Sequence, residues 1–390
     1  MMRYSGRIFD GEHFHEKAEM EVNESTGEIE YLEETKNSDK NYDGLTFLPG
    51  LIDVHTHFFG TPTRSLIDWV LTSDVLLTLR SYQDSQKLLN GGFTTIRTLG
   101  DKVSLDMGKA EKIGMIRSPR IISAGFSLAE TGGDDDPKMF TPEVARQLSY
   151  SYYCDGPWEC RKAVRMNLRK GAEVIKAYAS RSFVGGGLIK EEFTVEELSA
   201  IADEAHRAHI KATAHAYGKD AITNTIDANF DSVEHGLELT EDHVNKMVHK
   251  GMFYVPTMSV YKVKRADVNH YRDAMIKTHL EKDIQLAYSS GVKIAAGTDY
   301  VGSDDEPHGQ NYREAVYISE VVGSLDALKS ITSVAADCVG RSDIGRLMKG
   351  KKADFIAVRG DPMQDVSLLR PENVVLVVKN GKVEKNTLNQ

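Results

Sequence analysis

The stretch LIDVHTHFF, residues 51–59, is an apolar segment that contains an aspartate and two histidines. Its length and composition are typical of a strand in the interior of a parallel sheet. Residues two apart in a strand point to the same face, so His55 and His57 share a face and Thr56 points to the other. Two imidazoles on one face can bind one metal ion, although an H-x-H motif alone is weak evidence, because buried histidines with satisfied hydrogen bonds are common.

Seven further short apolar runs follow, each succeeded by a helical pattern. They are TTIRTL (94–99), RIISAG (120–125), EVIKAYA (173–179), IKATAHA (210–216), DSVEHG (231–236), FYVPTM (253–258) and KIAAGTD (293–299). Between them, Thr194 and Glu197 form a capping-box pattern at the start of the amphipathic segment 194–209. Eight strands alternating with helices predict an α/β fold of the (β/α)8 TIM-barrel type. A doubly wound open sheet is the competing architecture, but no G-x-G-x-x-G turn favours it.

The two ends of the chain differ from this middle part. Residues 1–47 contain short β patterns with a hairpin turn at 25–27, and the last 42 residues contain strand patterns with turn signals at Asp361-Pro362 and Asn380-Gly381. We therefore expect a small β-sandwich domain assembled from residues 1–49 and 349–390, and a barrel domain spanning residues 50–348.

Composition limits the class of protein. The net charge of −10 argues against nucleic acid as a partner, since phosphate binding needs a basic surface. No run approaches 18 apolar residues, and the first residues lack a signal-peptide pattern, so we expect no membrane association. The three cysteines form no C-x-x-C motif and fit a reducing cytoplasm. We expect a cytoplasmic homo-oligomer that acts on a small molecule.

Four more polar residues lie at or near the C-terminal ends of predicted strands, where barrel active sites are built. They are Lys176, His215, His235 and Asp299. A buried lysine without a partner is costly, and desolvation lowers the pKa of its amine. The neutral amine could take up CO2 and become a carbamate, with one oxygen for each of two metal ions. Histidine, aspartate and carbamate ligands suit zinc or another first-row divalent ion such as manganese, iron or cobalt.

Taken together, LPGLIDVHTH, IKAYAS, TAHAYG, SVEHG and AAGTD resemble, in order and spacing, the amidohydrolase superfamily. The likeness extends over essentially the whole chain. GFTTIRTLGD, SPRIISAG, TGGDDD and KADFIAVRGDP are similar to the branch that holds imidazolonepropionase-related hydrolases and the metal-dependent Xaa-Pro and Xaa-Arg dipeptidases.

The resemblance implies a metal-dependent hydrolase that cleaves an amide C–N bond of a small molecule, either dipeptide-like or a cyclic amide, by attack of a hydroxide held between two metal ions. His55, His57 and Asp299 would bind the more buried ion, His215 and His235 the more exposed one, and carboxylated Lys176 would bridge them. Asp299 would also act as the catalytic proton shuttle.

Loops after the strands should frame the substrate, which predicts Asp134, Tyr217, Tyr261 and His308 as substrate-binding residues. Six other histidines, at positions 206, 209, 243, 249, 270 and 279, are expected at the surface. The dipeptidase branch usually has TGG-His-Gly-Asp after strand 3, whereas Asp134 and Asp135 stand here in place of the histidine and glycine. This change disfavours an anionic substrate end and makes a neutral or cationic group more plausible there.

Three alternatives differ in chemistry. A mononuclear deaminase of the same superfamily generally uses a glutamate after strand 5, and KATAHAYG has none. A lactone or ester hydrolase could use the same metal pair, because the attacking hydroxide is indifferent to the leaving group. A non-enzymatic binding protein is disfavoured, because degenerate relatives usually lose ligands and all six are present.

Overall fold

The computed structural model describes residues 1–35, 42–61, 63–183, 189–263 and 269–388. Its strands, in chain order, are β1 (Met2–Phe9), β2 (Phe14–Asn23), β3 (Glu28–Glu34), β4 (Leu45–Pro49), β5 (Leu51–Thr56), β6 (Phe93–Thr98), β7 (Arg120–Ser123), β8 (Ser127–Ala129), β9 (Ser151–Tyr153), β10 (Val174–Tyr178), β11 (Lys211–Tyr217), β12 (Ser232–Leu237), β13 (Phe253–Val255), β14 (Lys293–Ile294), β15 (Phe355–Arg359), β16 (Val374–Lys379) and β17 (Lys382–Asn386). Each of the eight predicted apolar runs contains a strand.

The helices are α1 (Leu66–Leu71), α2 (Asp74–Asn90), α3 (Ser104–Lys112), α4 (Pro142–Leu148), α5 (Pro157–Lys170), α6 (Val195–Arg207), α7 (Lys219–Asp227), α8 (Glu241–Lys250), α9 (Met258–Tyr261), α10 (His270–Thr278), α11 (Ile284–Ser289), α12 (Arg313–Val322), α13 (Ser324–Ser330) and α14 (Ser333–Cys338). A π-helix spans His279–Asp283 and a 3-10 helix spans Val366–Leu369. The predicted capping box of Thr194 and Glu197 is present at α6. Within the described part of the chain, no helix has both the length and the apolar character needed to cross a bilayer.

The two ends of the chain share one seven-stranded sheet. Its order is β17-β16-β15-β4-β1-β2-β3, so β4 and β1 from the start of the chain lie beside β15 from its end. The predicted turn at 25–27 joins β2 to β3. Asn380 and Gly381 join β16 to β17 with φ angles of 49° and 73°, a left-handed pair that an Asn-Gly hairpin turn supplies readily. The mixed α/β architecture with a second, β-rich part is thus established.

Parallel strands form the middle of the molecule. One sheet has the order β14-β13-β12-β11-β10-β8-β9 and another has the order β5-β6-β7. In both sheets the strands follow their order in the sequence, except that the short strand β9 lies at the edge beyond β8. A doubly wound sheet reverses its order at a switch point between two groups of strands, and apart from the three-residue strand β9 neither parallel sheet does so.

Backbone hydrogen bonds also cross both gaps between the two parallel sheets. On one side, the amide of Val54 donates to the carbonyl of Ala296 (3.0 Å), and the amide of Asp299 donates to the carbonyl of His55 (2.7 Å). On the other side, the amide of Glu173 donates to the carbonyl of Ser123 (2.9 Å). The segments that carry the predicted ligands therefore lie side by side.

Alternation along β5 separates an apolar face from a polar one. Ile52 and Val54 belong to a buried hydrophobic cluster, whereas the side chains of Asp53, His55 and His57 are turned away from it. A Cβ atom added to Gly297 would lie only 2.7 Å from the Cβ of His55. Glycine at this position therefore permits the close approach of the last parallel segment to β5.

A buried ion pair joins the terminal sheet to the parallel sheets. Arg120, at the start of β7, donates through Nη1 to Oδ2 of Asp354 (2.7 Å) and to Oγ1 of Thr95 (2.9 Å). Its second amino group donates to the side chain of Asn380 in the β16–β17 turn (2.7 Å). Both charged side chains are at least nine-tenths buried. Each of these two buried charges is therefore neutralised by the other.

Replacement of Arg120 by methionine should lower the free energy of unfolding by about 3–5 kcal/mol, because it leaves the Asp354 carboxylate buried without its partner. The double variant Arg120→Met/Asp354→Asn should recover most of that loss. Lys112→Met, which breaks an exposed pair with Glu173, should cost at most about 1 kcal/mol and serves as the control. Denaturant unfolding curves measure all three, and equal losses for the single and double variants would contradict the argument.

Candidate metal centre

Three predicted ligands converge at the carboxyl ends of the parallel strands. Nε2 of His57 lies 3.0 Å from Oδ1 of Asp299, and Nε2 of His55 lies 3.3 Å from the same oxygen. One donor atom from each of the three residues falls within 4.8 Å of the others, and all three residues are buried. This spacing is suited to binding a single divalent ion.

The other three predicted ligands adjoin this group. Nζ of Lys176 lies 3.5 Å from Nε2 of His55. The His235 ring lies 5.1 Å from the His55 ring and 4.5 Å from the His215 ring, measured between centroids. Nε2 of His215 is buried and has no hydrogen-bond partner among the described residues. A buried ring nitrogen that has no hydrogen-bond partner has a lone pair available to bind a metal ion. The donor set therefore fits a metal ion, and all six side chains meet as expected.

The backbone around the centre adopts unusual conformations. His235 and Asp299 have φ angles of 66° and 58°, in the left-handed region that non-glycine residues rarely occupy. Thr257, which shares a 2.7 Å hydrogen bond with Nδ1 of His235, has a φ of 49°. Such strain persists only where the surroundings hold the residue in place, and it concentrates at functional sites.

A buried carboxylate–guanidinium pair lies beneath the ligands. Oε2 of Glu234 is 2.7 Å from Nδ1 of His55, and Oε1 accepts a 2.8 Å hydrogen bond from Nη2 of Arg97. Ser232 and Thr213 also donate their hydroxyls to Oε1 of Glu234. Sequence reasoning missed both members of the pair. A signal existed in Arg97, a charged residue inside the apolar run TTIRTL.

Asp53 joins the strand of His55 and His57 to the segment that carries Asp299. Its carboxylate accepts hydrogen bonds from the amides of His55 (3.0 Å) and Thr298 (3.1 Å). It also accepts from the Thr298 hydroxyl and from the Asn311 side chain, both at 2.7 Å. Burial raises the pKa of Asp53 to about 6, although these donors favour its ionised form.

Burial and mutual charge set the protonation of the centre. Burial lowers the pKa of Lys176 to about 8 and that of His55 to about 4. The pKa values of His215 and His235 also fall well below their ordinary value, again mainly through burial. Burial alone would raise the pKa of Asp299, but the histidines around it hold that pKa well below its ordinary value. Neutral imidazoles and an ionised carboxylate are the forms that bind metal ions.

A pocket opens above these residues. Three of the four predicted substrate-binding residues line it, namely Asp134, Tyr217 and Tyr261. The Tyr261 hydroxyl donates to the Tyr217 hydroxyl at 2.7 Å. Asp134 accepts the amide of Ser182 at 2.8 Å. The remaining lining residues are His55, His57, Phe59, Arg64, Leu66, Trp69, Asp135, Tyr150, Lys176, Tyr178, Ser182, Phe183, His215, His235, Val260, Asp299 and Val301.

His308 is placed differently. It is not among the residues that line the pocket, and its Nε2 donates to the backbone carbonyl of His57 at 2.9 Å. It lies behind a predicted ligand instead of facing the substrate space, because its loop folds back onto β5. The expectation of surface histidines is also wrong at two positions, since His243 and His279 are buried with hydrogen-bond partners.

Arg64 is a charged pocket residue that sequence reasoning did not identify. Its Nη1 donates to Oε1 of Glu306 at 2.5 Å, and its Nη2 lies 3.5 Å from Oδ2 of Asp299. Apart from Lys176, it is the only lysine or arginine among the described residues that line the pocket. The loop 57–65 gave no periodic signal from which this position could be inferred.

Comparisons with known proteins agree with this geometry. Residues 46–383 match the model of the amidohydrolase family. Ochratoxinase of Aspergillus niger is 31% identical over 374 residues, which cover 87% of this chain and 75% of that protein. Its crystal structure superposes with a TM-score of 0.89 at 27% identity, over 98% of this chain and 96% of that one. A Xaa-Pro dipeptidase with bound methionine in its active site has a TM-score of 0.84 at 28% identity, over 98% and 99%. A prolidase complexed with N-methylphosphonate-L-proline has a TM-score of 0.88 at 25% identity, over 99% and 100%. The chain belongs to the amidohydrolase family.

Proposed function

We propose that this chain, a hydrolase acting on carbon–nitrogen bonds, is a metal-dependent enzyme that cleaves the amide bond of a small dipeptide-like molecule. One observation carries the proposal. Six potential ligands meet in a buried space, and Nε2 of His215 faces no partner among the described residues. Burying these polar side chains together is costly, and binding of metal ions would offset that cost.

The architecture that fits this function is a closed (β/α)8 barrel, residues 50–348, with a β-sandwich domain from residues 1–49 and 349–390. The hydrogen bonds across both gaps between the parallel sheets support closure. In such a barrel the strand ends that carry His55, Lys176 and Asp299 form the active-site face.

The centre would hold two divalent ions, with zinc as the preferred metal. His55, His57 and Asp299 would bind one, and His215 and His235 the other. A charged lysine would repel the ions, yet Nζ of Lys176 lies 3.5 Å from a ligand nitrogen. Carboxylation of Lys176 by CO2 would replace the ammonium by an anionic carbamate whose oxygens could bind divalent ions, which would resolve the conflict.

The chemistry follows from the chain's own residues. Bound divalent ions would polarise the substrate carbonyl and activate a water molecule. Asp299 accepts the proton of the attacking water and delivers it to the leaving nitrogen. The nearby guanidinium of Arg64, with Nη2 3.5 Å from Oδ2 of Asp299, holds the carboxylate in place for both transfers.

Two opposite charges in the pocket indicate which chemical group each end of the substrate carries. The guanidinium of Arg64 can bind a carboxylate, and the Asp134 carboxylate can bind an ammonium or a neutral donor. One carbon separates the α-carboxylate of an amino acid from its nitrogen, so a leaving nitrogen at Asp299 brings that carboxylate close to Arg64. The neutral or cationic group that Asp134 is expected to favour therefore belongs to the end of the substrate opposite the leaving amino acid. Names of two relatives mention prolidase or dipeptidase activity, which supports an amino acid product.

Protein reconstituted with Zn2+ should hold two ions per chain by elemental analysis, whereas one ion would favour a deaminase and none a binding protein.

Asp299→Asn should lower kcat by about a thousandfold or more on the dipeptide that wild type cleaves best, because it removes a ligand and the proton shuttle. Asp305→Asn, in the same loop but exposed, should leave kcat near wild type. Near-normal turnover of Asp299→Asn would rule out the mechanism.

Recovery of metal-free protein should depend on CO2, because Lys176 needs it to become a ligand. Reloading with Zn2+ in CO2-depleted buffer should be slow and should accelerate when bicarbonate is added, as followed by bound zinc and by hydrolysis rate. Lys176→Ala should show no bicarbonate response. A wild-type recovery rate that is the same with and without bicarbonate would exclude the carbamate.

A crossed substrate series tests Arg64 and Asp134. For L-alanyl-L-phenylalanine against its C-terminal amide, Arg64→Gln should remove a preference of about 10- to 100-fold in kcat/KM, since a charge-assisted hydrogen bond is lost. Asp134→Asn should leave that preference intact and instead weaken discrimination against the N-acetyl derivative. Each variant is the control for the other. Both variants changing the same preference would contradict the assignment of the ends.

A further inference from the structure

We propose that Glu234 and Arg97 are positioning residues that fix the imidazole of His55 and thereby set the affinity of the centre for its more buried ion. The inference rests on the proposed metal-dependent function. Neither residue lines the pocket, so neither touches the substrate. Their contacts instead lie one layer below the ligands, where both side chains are almost completely buried.

The hydrogen bond between Glu234 and His55 determines which ring nitrogen can bind a metal. Oε2 of Glu234 is 2.7 Å from Nδ1 of His55. An ionised carboxylate can only accept a hydrogen bond, so Nδ1 of His55 must carry the proton. Nε2 is then the nitrogen with the free lone pair, and it is the atom that faces Asp299 at 3.3 Å. The carboxylate thus selects the metal-binding tautomer of the ring.

Arg97 pairs with the Glu234 carboxylate and holds it in position. Its Nη2 donates to Oε1 of Glu234 at 2.8 Å, and its Nε donates to the carbonyl of Val54 next to His55. One guanidinium on β6 therefore holds both the backbone that precedes His55 and the carboxylate that contacts the His55 ring. The backbone next to His55 and the Nδ1 side of its ring are thus both held, which limits rotation of the ring away from an ion.

The local backbone also positions His235, which is a proposed ligand of the second ion. Side chains alternate along a strand, so Glu234 and His235 would ordinarily point to opposite faces. The φ of 66° at His235 breaks the alternation. As a result Glu234 contacts His55, while the adjacent His235 ring lies 5.1 Å from the same imidazole. Of these two consecutive residues of β12, Glu234 thereby positions a ligand of the first proposed ion and His235 is itself a ligand of the second.

A measurement of zinc affinity distinguishes a positioning role of Arg97 and Glu234 from a purely structural one. Protein is equilibrated with chelator-buffered Zn2+, and bound zinc is measured in wild type and in two double variants that leave no unpaired charge. Arg97→Met/Glu234→Leu removes the acceptor for His55 and should weaken the tighter zinc by about 10- to 100-fold. Arg97→Met/Glu234→Gln keeps an acceptor oxygen and should recover most of the affinity.

The matched control is Arg120→Met/Asp354→Asn, which removes a buried pair of the same kind far from the centre and should leave zinc affinity unchanged. The Co2+-substituted protein provides a second readout, since the absorption spectrum of the bound ion should change in the Leu variant only. Wild-type zinc affinity in the Leu variant, or an equal loss in the control, would overturn the proposal. Absence of zinc binding by wild type would instead contradict the proposed function itself.

A measurement on wild type covers the case in which the variants fail to fold. Nitrogen-15 NMR of histidine-labelled, zinc-loaded protein should show a proton on Nδ1 of His55, with the signal assigned by its loss in His55→Asn. A proton on Nε2 would overturn the proposal, because Glu234 could not then be the acceptor that selects the metal-binding nitrogen.

Discussion

The structure depends on the compensation of charge among buried side chains at the carboxyl ends of the parallel strands. Four imidazoles, a lysine and a carboxylate that are all buried must balance one another or bind ions. Burial holds the pKa values of His55, His215 and His235 below their ordinary range, and Asp299 is held ionised. Such a cluster is costly in isolation. Its cost is consistent with a site built for cations.

The surrounding fold serves that constraint at several levels. Asp53 joins β5 to the segment of Thr298, so the backbone that carries His55 is tied to the segment that carries Asp299. Gly297 lets this segment pass close to His55. Beneath them, Glu234 and Arg97 form a charge-balanced pair whose burial is offset by their mutual hydrogen bond and by those to His55 and Val54. Interactions that position the ligands thus also join neighbouring strands, and stability and function share the same contacts.

The pocket combines opposite charges above this base. Arg64 and Asp134 come from different loops, and no single motif contains both. Asp135, in contrast, has its carboxylate occupied by hydroxyls of Tyr150, Ser127 and Ser151. Of the two aspartates that replace the usual histidine and glycine, Asp134 therefore remains the one with capacity to meet a substrate. The charges that frame the pocket thus come from separate loops that the parallel strands bring together.

The amino-acid sequence alone determined the strand segments, the Asn380-Gly381 turn and the convergence of the six ligand candidates. These are local properties, since period-two alternation and turn chemistry depend on neighbours in the chain, and parallel strands place their carboxyl ends together. Only the tertiary structure decided that His308 turns behind His57, that Arg64 enters the pocket and that Glu234 bonds His55 across 179 residues. Strand periodicity assigns Glu234 and His235 to opposite faces. The left-handed backbone at His235 overrides it, because packing against Thr257 and β5 holds that conformation, and no local pattern encodes such a contact.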